Sequence, residues 1–402
     1  MADTSETVPE WPFPRDMKCP FDPPPGLINL LENSPVSRVR IWSGETAWLV
    51  AGYEDNRAVS SDDRVSANTR RDGFPFALPT IRTLSVGQPL IMALDEPEHG
   101  ELRRKLLPEF TVRKVNALRP RIQSIVDELI NSLIERPTPV DLVRHFALPI
   151  PSKVIAEMLG VPYQDHEFFE RVSDTMLSNP DESRNASKEL HKYLHRLVDS
   201  KRESPSDDLL SILVGHWIDG EMTKDEVVGI GHVALVGGHE TTANMIALSA
   251  AVLFLHPDQA AELRESTDPA IIQNAVEELL RYLHIAQSGR RRIAVDDFKI
   301  RDQQVRAGEG IILAGNIADR DPDAFDGDTG ALDIGRRARH HLAFGYGIHQ
   351  CLGQSLARAE VQIAIGTLLR RIPEMKLAVD WSEVPFKDSN LIYGVRALPV
   401  KW

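Results

Sequence analysis

Only two of the 402 residues are cysteine, Cys19 and Cys351. A disulfide framework is therefore excluded, and the composition fits a reducing compartment. Long hydrophobic runs are missing as well: the longest, Met245 to Leu255, is interrupted by Ser249 and falls short of a bilayer. The opening MADTSETVPEWPFPRD is acidic and broken by proline, where a signal peptide is basic and then apolar. These absences predict a cytoplasmic protein with no membrane partner. A basic surplus is lacking too. Lys and Arg number 46 against 59 Asp and Glu, a net charge of -13, which argues against nucleic acid and anionic membranes as general partners. No linker-like stretch divides the chain. Residues 1–402 are therefore expected to form one domain, a monomer, with 1–26 as an extended, proline-rich lead-in.

What is present is mostly helical periodicity with small strand pairs. Val36–Trp42 and Thr46–Ala51 read as a hairpin around Gly44. The segment Ser66–Met92 follows no steady period, and its apolar Phe74, Phe76, Leu78 and Ile81 suit either a pocket wall or local packing. Leu177–Lys188, with SNPDESRNAS at its centre, is polar enough to predict a flexible loop between two helices. Thr223-Lys-Asp-Glu226 forms a capping box. The helix it starts should run to His256-Pro257, about 50 Å at 1.5 Å per residue.

The middle of that helix breaks helical rules. Gly237-Gly238-His239-Glu240-Thr241-Thr242 places glycines, an acid and hydroxyls where a core helix takes Leu and Ala, and local rules fail most often at functional sites. The glycines would permit a kink and the close approach of a bound molecule, with a Thr hydroxyl replacing a disturbed backbone bond. Asp268-Pro269 begins another helix, on which Glu278 and Arg281 share a face as an ion pair.

Chemistry concentrates in His341–Glu360. Gly345 and Gly347 allow positive φ and close approach to a flat ligand. Cys351 should sit at a helix start, where the dipole favours a thiolate, and His349 should donate to a carboxylate. Far upstream, His99 and Arg103 lie four apart on one predicted helical face, a donor pair suited to a propionate. Arg104, Lys105, Arg113 and Lys114 form a basic cluster that suits either a solvated face or an acidic partner.

Phe344–Gly353, FGYGIHQCLG, resembles the haem-binding loop of cytochromes P450, F-G-x-G-x-[HR]-x-C-x-G, at every fixed position. Further motifs of that family occur in its order. They are H-x-x-x-R at 99–103, [AG]-G-x-[DE]-T at 237–241, E-x-x-R at 278–281 and R-x-A at 292–294. Ala318–Pro322 differs from A-N-R-D-P by Asp319, a change expected to touch packing more than chemistry. The resemblance implies a mainly α fold with small β-sheets, in which a long central helix crosses a buried haem b. Cys351 would be the iron's axial ligand, the thiolate ligation established for this family. His99, Arg103, Arg292 and His349 would hold propionates, with Arg290 and Arg291 competing for the assignment of Arg292. Phe344, Gly345 and Gly238 would also border the cofactor. Thr241 would orient dioxygen and a water, and Glu240 would relay protons.

The same resemblance makes Glu278–Arg281 a buried structural pair completed by Arg336 or Arg337. It places Phe76, Leu78, Leu94, Val236, Gly237, Ile285, Ala286 and Ile392 around a substrate pocket, and it makes loops near 70–92 and 166–190 its cover. The implied activity is monooxygenation, by hydroxylation or epoxidation, of a bulky apolar small molecule such as a secondary metabolite, sterol-like compound or xenobiotic. Dioxygen is the co-substrate, and two electrons come from a ferredoxin and its NAD(P)H-fed reductase. A haem-thiolate peroxygenase, an NADH-fed nitric oxide reductase and a non-enzymatic haem-binding sensor stay open beside it.

Overall fold

The computed structural model describes residues 8–79, 82, 90–178, 180–388 and 390–402. β1 (Val36–Arg40) and β2 (Thr46–Val50) form the expected antiparallel hairpin, with Gly44 at φ +87° in its turn. β3 (Val65–Ser66), β4 (Arg290–Ala294) and β5 (Gly310–Leu313) extend it to a sheet of order β1-β2-β5-β4-β3, in which β2 and β5 run parallel. The rest is chiefly helix: α1 (Pro25–Asn33), α2 (Tyr53–Ser60), α3 (Glu98–Leu106), α4 (Val112–Ile134), α5 (Pro149–Leu159), α6 (His166–Ser178), α7 (Pro180–Glu203), α8 (Leu209–Ile218), α9 (Lys224–Leu255), α10 (Pro257–Glu265), α11 (Pro269–Leu283) and α12 (Gln354–Arg371).

α9 organises the whole. Its capping box forms as the sequence predicts: Thr223 accepts from the Glu226 amide, and Glu226 accepts in return from the Thr223 amide. The helix runs 32 residues without interruption, about 48 Å, to His256 before Pro257. It packs against α5, α7, α8, α11 and α12. Two apolar cores share it. Val227, Val228, Ile230 and Leu235 belong to one core with residues of α3 and α5–α8, and Met245–Leu253 contribute to another with α4, α5, α11 and α12. The glycine, acid and hydroxyl stretch occupies the seam between them, where no continuous apolar face is required.

One expectation changes. Leu177–Lys188 is not a loop, because α6 runs to Ser178 and α7 begins at Pro180. Asp181, Glu182, Arg184, Asn185 and Lys188 form the outer face of an amphipathic helix whose Ala186, Leu190, Leu194 and Val198 enter the first core. α9 stays helical through its two glycines. Among its described residues the lead-in has no helix before Pro25, yet it is pinned, since Trp11 is buried edge-on to Phe13 and Arg15 reaches Gln287. Thr80, Ile81 and residues 83–89 lie outside the described residues. Among the described residues, no helix is long and apolar enough to cross a membrane.

Candidate active site

The cysteine loop is fastened at both ends before it reaches Cys351. Asp319 accepts from the Leu342 amide at 2.7 Å, and Cys351 donates its own amide to the Phe344 carbonyl at 2.8 Å. Gly345 and Gly347 adopt φ +76° and +74°, the left-handed region that glycine enters without penalty. Their lack of a side chain serves protein neighbours. A Cβ on Gly345 would lie 2.9 Å from Arg290 Nε, and one on Gly347 would lie 2.5 Å from the Ser60 carbonyl oxygen. Both positions are therefore held to glycine by protein neighbours alone.

Cys351 itself lies three residues before α12, off the helix. It is reachable by solvent yet walled by protein. That burial pushes its thiol up, and the opposing Gly353 amide, Arg290, Arg103 and Arg358 do not reverse it. The helix-dipole argument for an intrinsic thiolate fails here; a bound metal ion would deprotonate the sulfur directly.

Four bases from three distant segments meet beside this loop. α3 presents His99 and Arg103, β4 presents Arg292, and the loop presents His349, whose ring centroid lies 4.2 Å from that of His99. The His349 imidazole is pushed down to about 3, first by burial and then by Arg292, His99 and Arg103. Burial and Arg290 pull Arg292 down to about 10. His99 is lowered by burial too, although Glu96, 3.5 Å away, opposes this. Mutual repulsion of this kind suits an anion placed among the four. The competing arginines are engaged elsewhere: Arg290 donates to the Ala343 carbonyl, and Arg291 to Ser288 and Gly289 in its own turn.

At the seam, Gly237 is exposed although it sits mid-helix, and Val236, Gly238 and Thr241 are only half-buried. A Cβ on Gly237 would meet nothing, so alanine fits there, whereas one on Gly238 would press 3.2 Å from Ile155 Cδ1. Gly238 thus answers to α5. Thr241 Oγ1 donates back to the Gly237 carbonyl at 2.5 Å. Glu240 turns into the protein, where it is ion-paired with Lys387 and accepts from Asn244 at 3.3 Å. Burial pushes its carboxyl up, but Lys387, His239 and Asn244 outweigh burial and the net shift is downward. Sequence reasoning missed Lys387; its signal was a single lysine closing the apolar Val384-Pro385-Phe386. His239 is buried, and neither ring nitrogen has a hydrogen-bond partner among the described residues.

The family model for cytochrome P450 matches residues 167–372. The cytochrome P450 GfsF of Streptomyces halstedii is 49% identical over 405 residues, spanning 100% of this chain and 98% of that protein. The chain belongs to the cytochrome P450 family. Its fold matches the GfsF crystal structure with a TM-score of 0.93 over 98% of this chain and 100% of that one, at 48% identity. It also matches the mycinamicin VIII C21 methyl hydroxylase MycCI of Micromonospora griseorubida, solved with mycinamicin VIII, with a TM-score of 0.90 at 38% identity, over 98% and 100% of the two chains. As a cytochrome P450 it is a monooxygenase that uses haem and dioxygen, and bacterial P450s take their electrons from redox partners. The residues present fit such a group, with one thiol on a solvent-reachable wall and four bases converging beside it.

In this P450, α11 holds the cysteine loop from behind. Glu278, wholly buried, accepts from Arg281 Nε at 2.7 Å, Arg281 Nη2 at 2.8 Å, Arg336 Nε at 3.2 Å and the Asp333 amide at 3.0 Å. Arg336 therefore completes the pair, and Arg337 is exposed. Asp319 does more than pack. It also faces His284 Nδ1 at 2.6 Å, while its carbonyl accepts from Arg281, so it joins α11 to the loop.

Next to it, Glu277 accepts from Arg358 at 2.7 and 2.9 Å and meets His341 at 3.1 Å. Burial raises the Glu277 carboxyl, but His341 and Arg358 more than reverse this, to about 2. A depressed carboxyl stabilises the fold fully above its unfolded value of 4.5, and that contribution is lost as pH falls toward 2. Acid unfolding of the wild type should therefore steepen below pH 4.5, and Glu277→Gln should flatten that limb by about 3 kcal/mol, read by denaturant titrations at several pH values.

The pocket residues do not all meet. Leu94 and Val236 pack against the first core, Ile285 against the second, and Phe76 and Leu78 against a third cluster around Trp11, Leu27 and Leu49. Phe76 packs at a tilt against Phe74, with centroids 5.1 Å apart. Phe76 and Leu78 are half-buried where they pack against this cluster of the N-terminal sheet and α1. Ala286 and Ile392 are half-buried.

Proposed function

We propose that this chain is a single-domain, monomeric haem b monooxygenase that hydroxylates a bulky apolar small molecule, with electrons from a ferredoxin. The observation that carries the reading is the accessible strip of α9, Gly237 to Thr241, at the seam of two apolar cores. It offers a hydroxyl beside an apolar wall that includes Val236 and Leu94. Cys351 would hold the haem, with His99, Arg103, Arg292 and His349 on its propionates. A haem held by thiolate supplies dioxygen activation and favours O–O cleavage. The protein supplies orientation and protons. Thr241 exchanges its bond to the Gly237 carbonyl for one to dioxygen or a water. Glu240, kept ionised by Lys387, orders the donors behind Thr241. Relatives whose names state hydroxylation of a macrolide such as mycinamicin VIII favour a substrate of that size and polarity.

Purified protein with ferredoxin, reductase and NADPH should turn over a substrate found by spin-state shift among macrolides, terpenoids and sterols. Peroxide alone, or NADH with nitric oxide, should not support comparable rates; equal rates with either would replace this reading by a peroxygenase or a nitric oxide reductase. Thr241→Ala is expected to lower product formation by about 100-fold while electron consumption continues and hydrogen peroxide accumulates. Unchanged coupling would remove Thr241 from the mechanism.

A further inference from the structure

α7 and the first turn of α9 cross at the edge of the first core, away from the cysteine loop. On α7, His191 and His195 lie one turn apart, with their Nε2 atoms 2.9 Å from each other and ring centroids at 4.5 Å. Asp225, in the first turn of α9, places Oδ1 3.5 Å from His195 Nε2. One ligand atom of each residue lies within 4.8 Å of the other two. Both histidines are half-buried and Asp225 is exposed, so an ion can reach them from solvent.

Two facing imidazole nitrogens can share only one proton between them, a weak use of a fixed pair. A tetrahedral Zn2+ with bonds near 2.05 Å sets its ligand atoms about 3.3 Å apart. The observed 2.9 and 3.5 Å bracket that value. Lys224, the cation next to Asp225, is drawn to Asp199 at 2.6 Å and leaves the Asp225 carboxylate uncontested by its ammonium.

We propose that His191, His195 and Asp225 form a divalent metal site of the Zn2+ class, completed by water, that ties α7 to the start of the central helix. Two histidines at i and i+4 on a helix with a carboxylate from a second element is a donor set that zinc accepts. Mg2+ and Ca2+, which demand six or more oxygen ligands, fit it poorly.

Holoenzyme stripped with chelator should bind one Zn2+ by titration calorimetry and gain several degrees in thermal midpoint at saturation. The zinc X-ray absorption edge, which the haem iron does not obscure, should report two imidazoles at about 2.0–2.1 Å. Loss of an outer-shell partner costs a metal site about 10–100-fold, so His191→Ala and His195→Ala should each weaken binding by about 100-fold or more. Asp225→Asn should weaken it less, and His216→Ala, at a separate surface pair with Glu221, should change nothing. The reduced carbon monoxide spectrum of each variant reports that it has folded. Zinc binding left intact in the His191→Ala/His195→Ala double variant, or no binding at millimolar Zn2+, would overturn the site.

Discussion

Cys351→His is expected to abolish the thiolate-type Soret band of the reduced carbon monoxide complex and to reduce turnover to background. The variant tests the ligand and spares the loop. The fastenings at Leu342 and at Cys351 use the loop's backbone amides and not the Cys351 side chain, and Arg358 lies 4.5 Å over the Phe344 ring. An imidazole at that position is a nitrogen donor without the electron push of a thiolate. Cys19, the other thiol, is exposed in the lead-in, so Cys19→Ser should leave the spectrum unchanged. A thiolate-type band that survives in Cys351→His, or vanishes in Cys19→Ser, would mean that the axial ligand has been misassigned.

Glu278→Ala is expected to destabilise the protein by about 3–5 kcal/mol, the cost of stranding buried charge. Arg281 and Arg336 would lose the carboxylate that both donate to, at positions almost closed to solvent. The Asp333 amide would lose its acceptor as well. The variant should bind haem weakly, because α11 carries both Glu277 and the arginine that grips the Asp319 carbonyl. The measurement is the shift in denaturant midpoint at constant slope. Arg337→Ala, one residue from the network but exposed, should change stability by less than about 0.5 kcal/mol. Equal losses in the two variants would show that the network is not centred on Glu278.

The features legible in the sequence were those written in short spacings. The capping box at Thr223–Glu226, the pair at Glu278–Arg281 and the cysteine loop each need only residues within one or two turns. Joining His99, Arg292 and His349 needed the family pattern, because they arrive on a helix, a strand and a loop. Lys387 was not legible. It meets Glu240 across 147 positions, and no local rule couples a C-terminal turn to a mid-helix acid. α7 was misread for a different reason. Its polar SNPDESRNAS outweighed a start signal that was present, Pro180 followed by Asp181 and Glu182 in the first turn. The positive φ of the loop glycines was legible, but the crowding of Arg290 and Ser60 against them from inside the protein was not.

α9 threads two cores, and this divides the molecule's capacity to change. Substitutions at sites with no shared partners and more than about 7–10 Å apart add nearly independently. Altering Phe169 or Leu190 in the first core therefore draws little on the packing of Leu279 or Ile365 in the second. The second core buries the helices that brace the cysteine loop, while the first contains the residues beside the accessible strip. A descendant can thus exchange α6 to α8 for another shape of wall and keep its prosthetic group seated, so new substrates are reachable without a detour through unfolded intermediates.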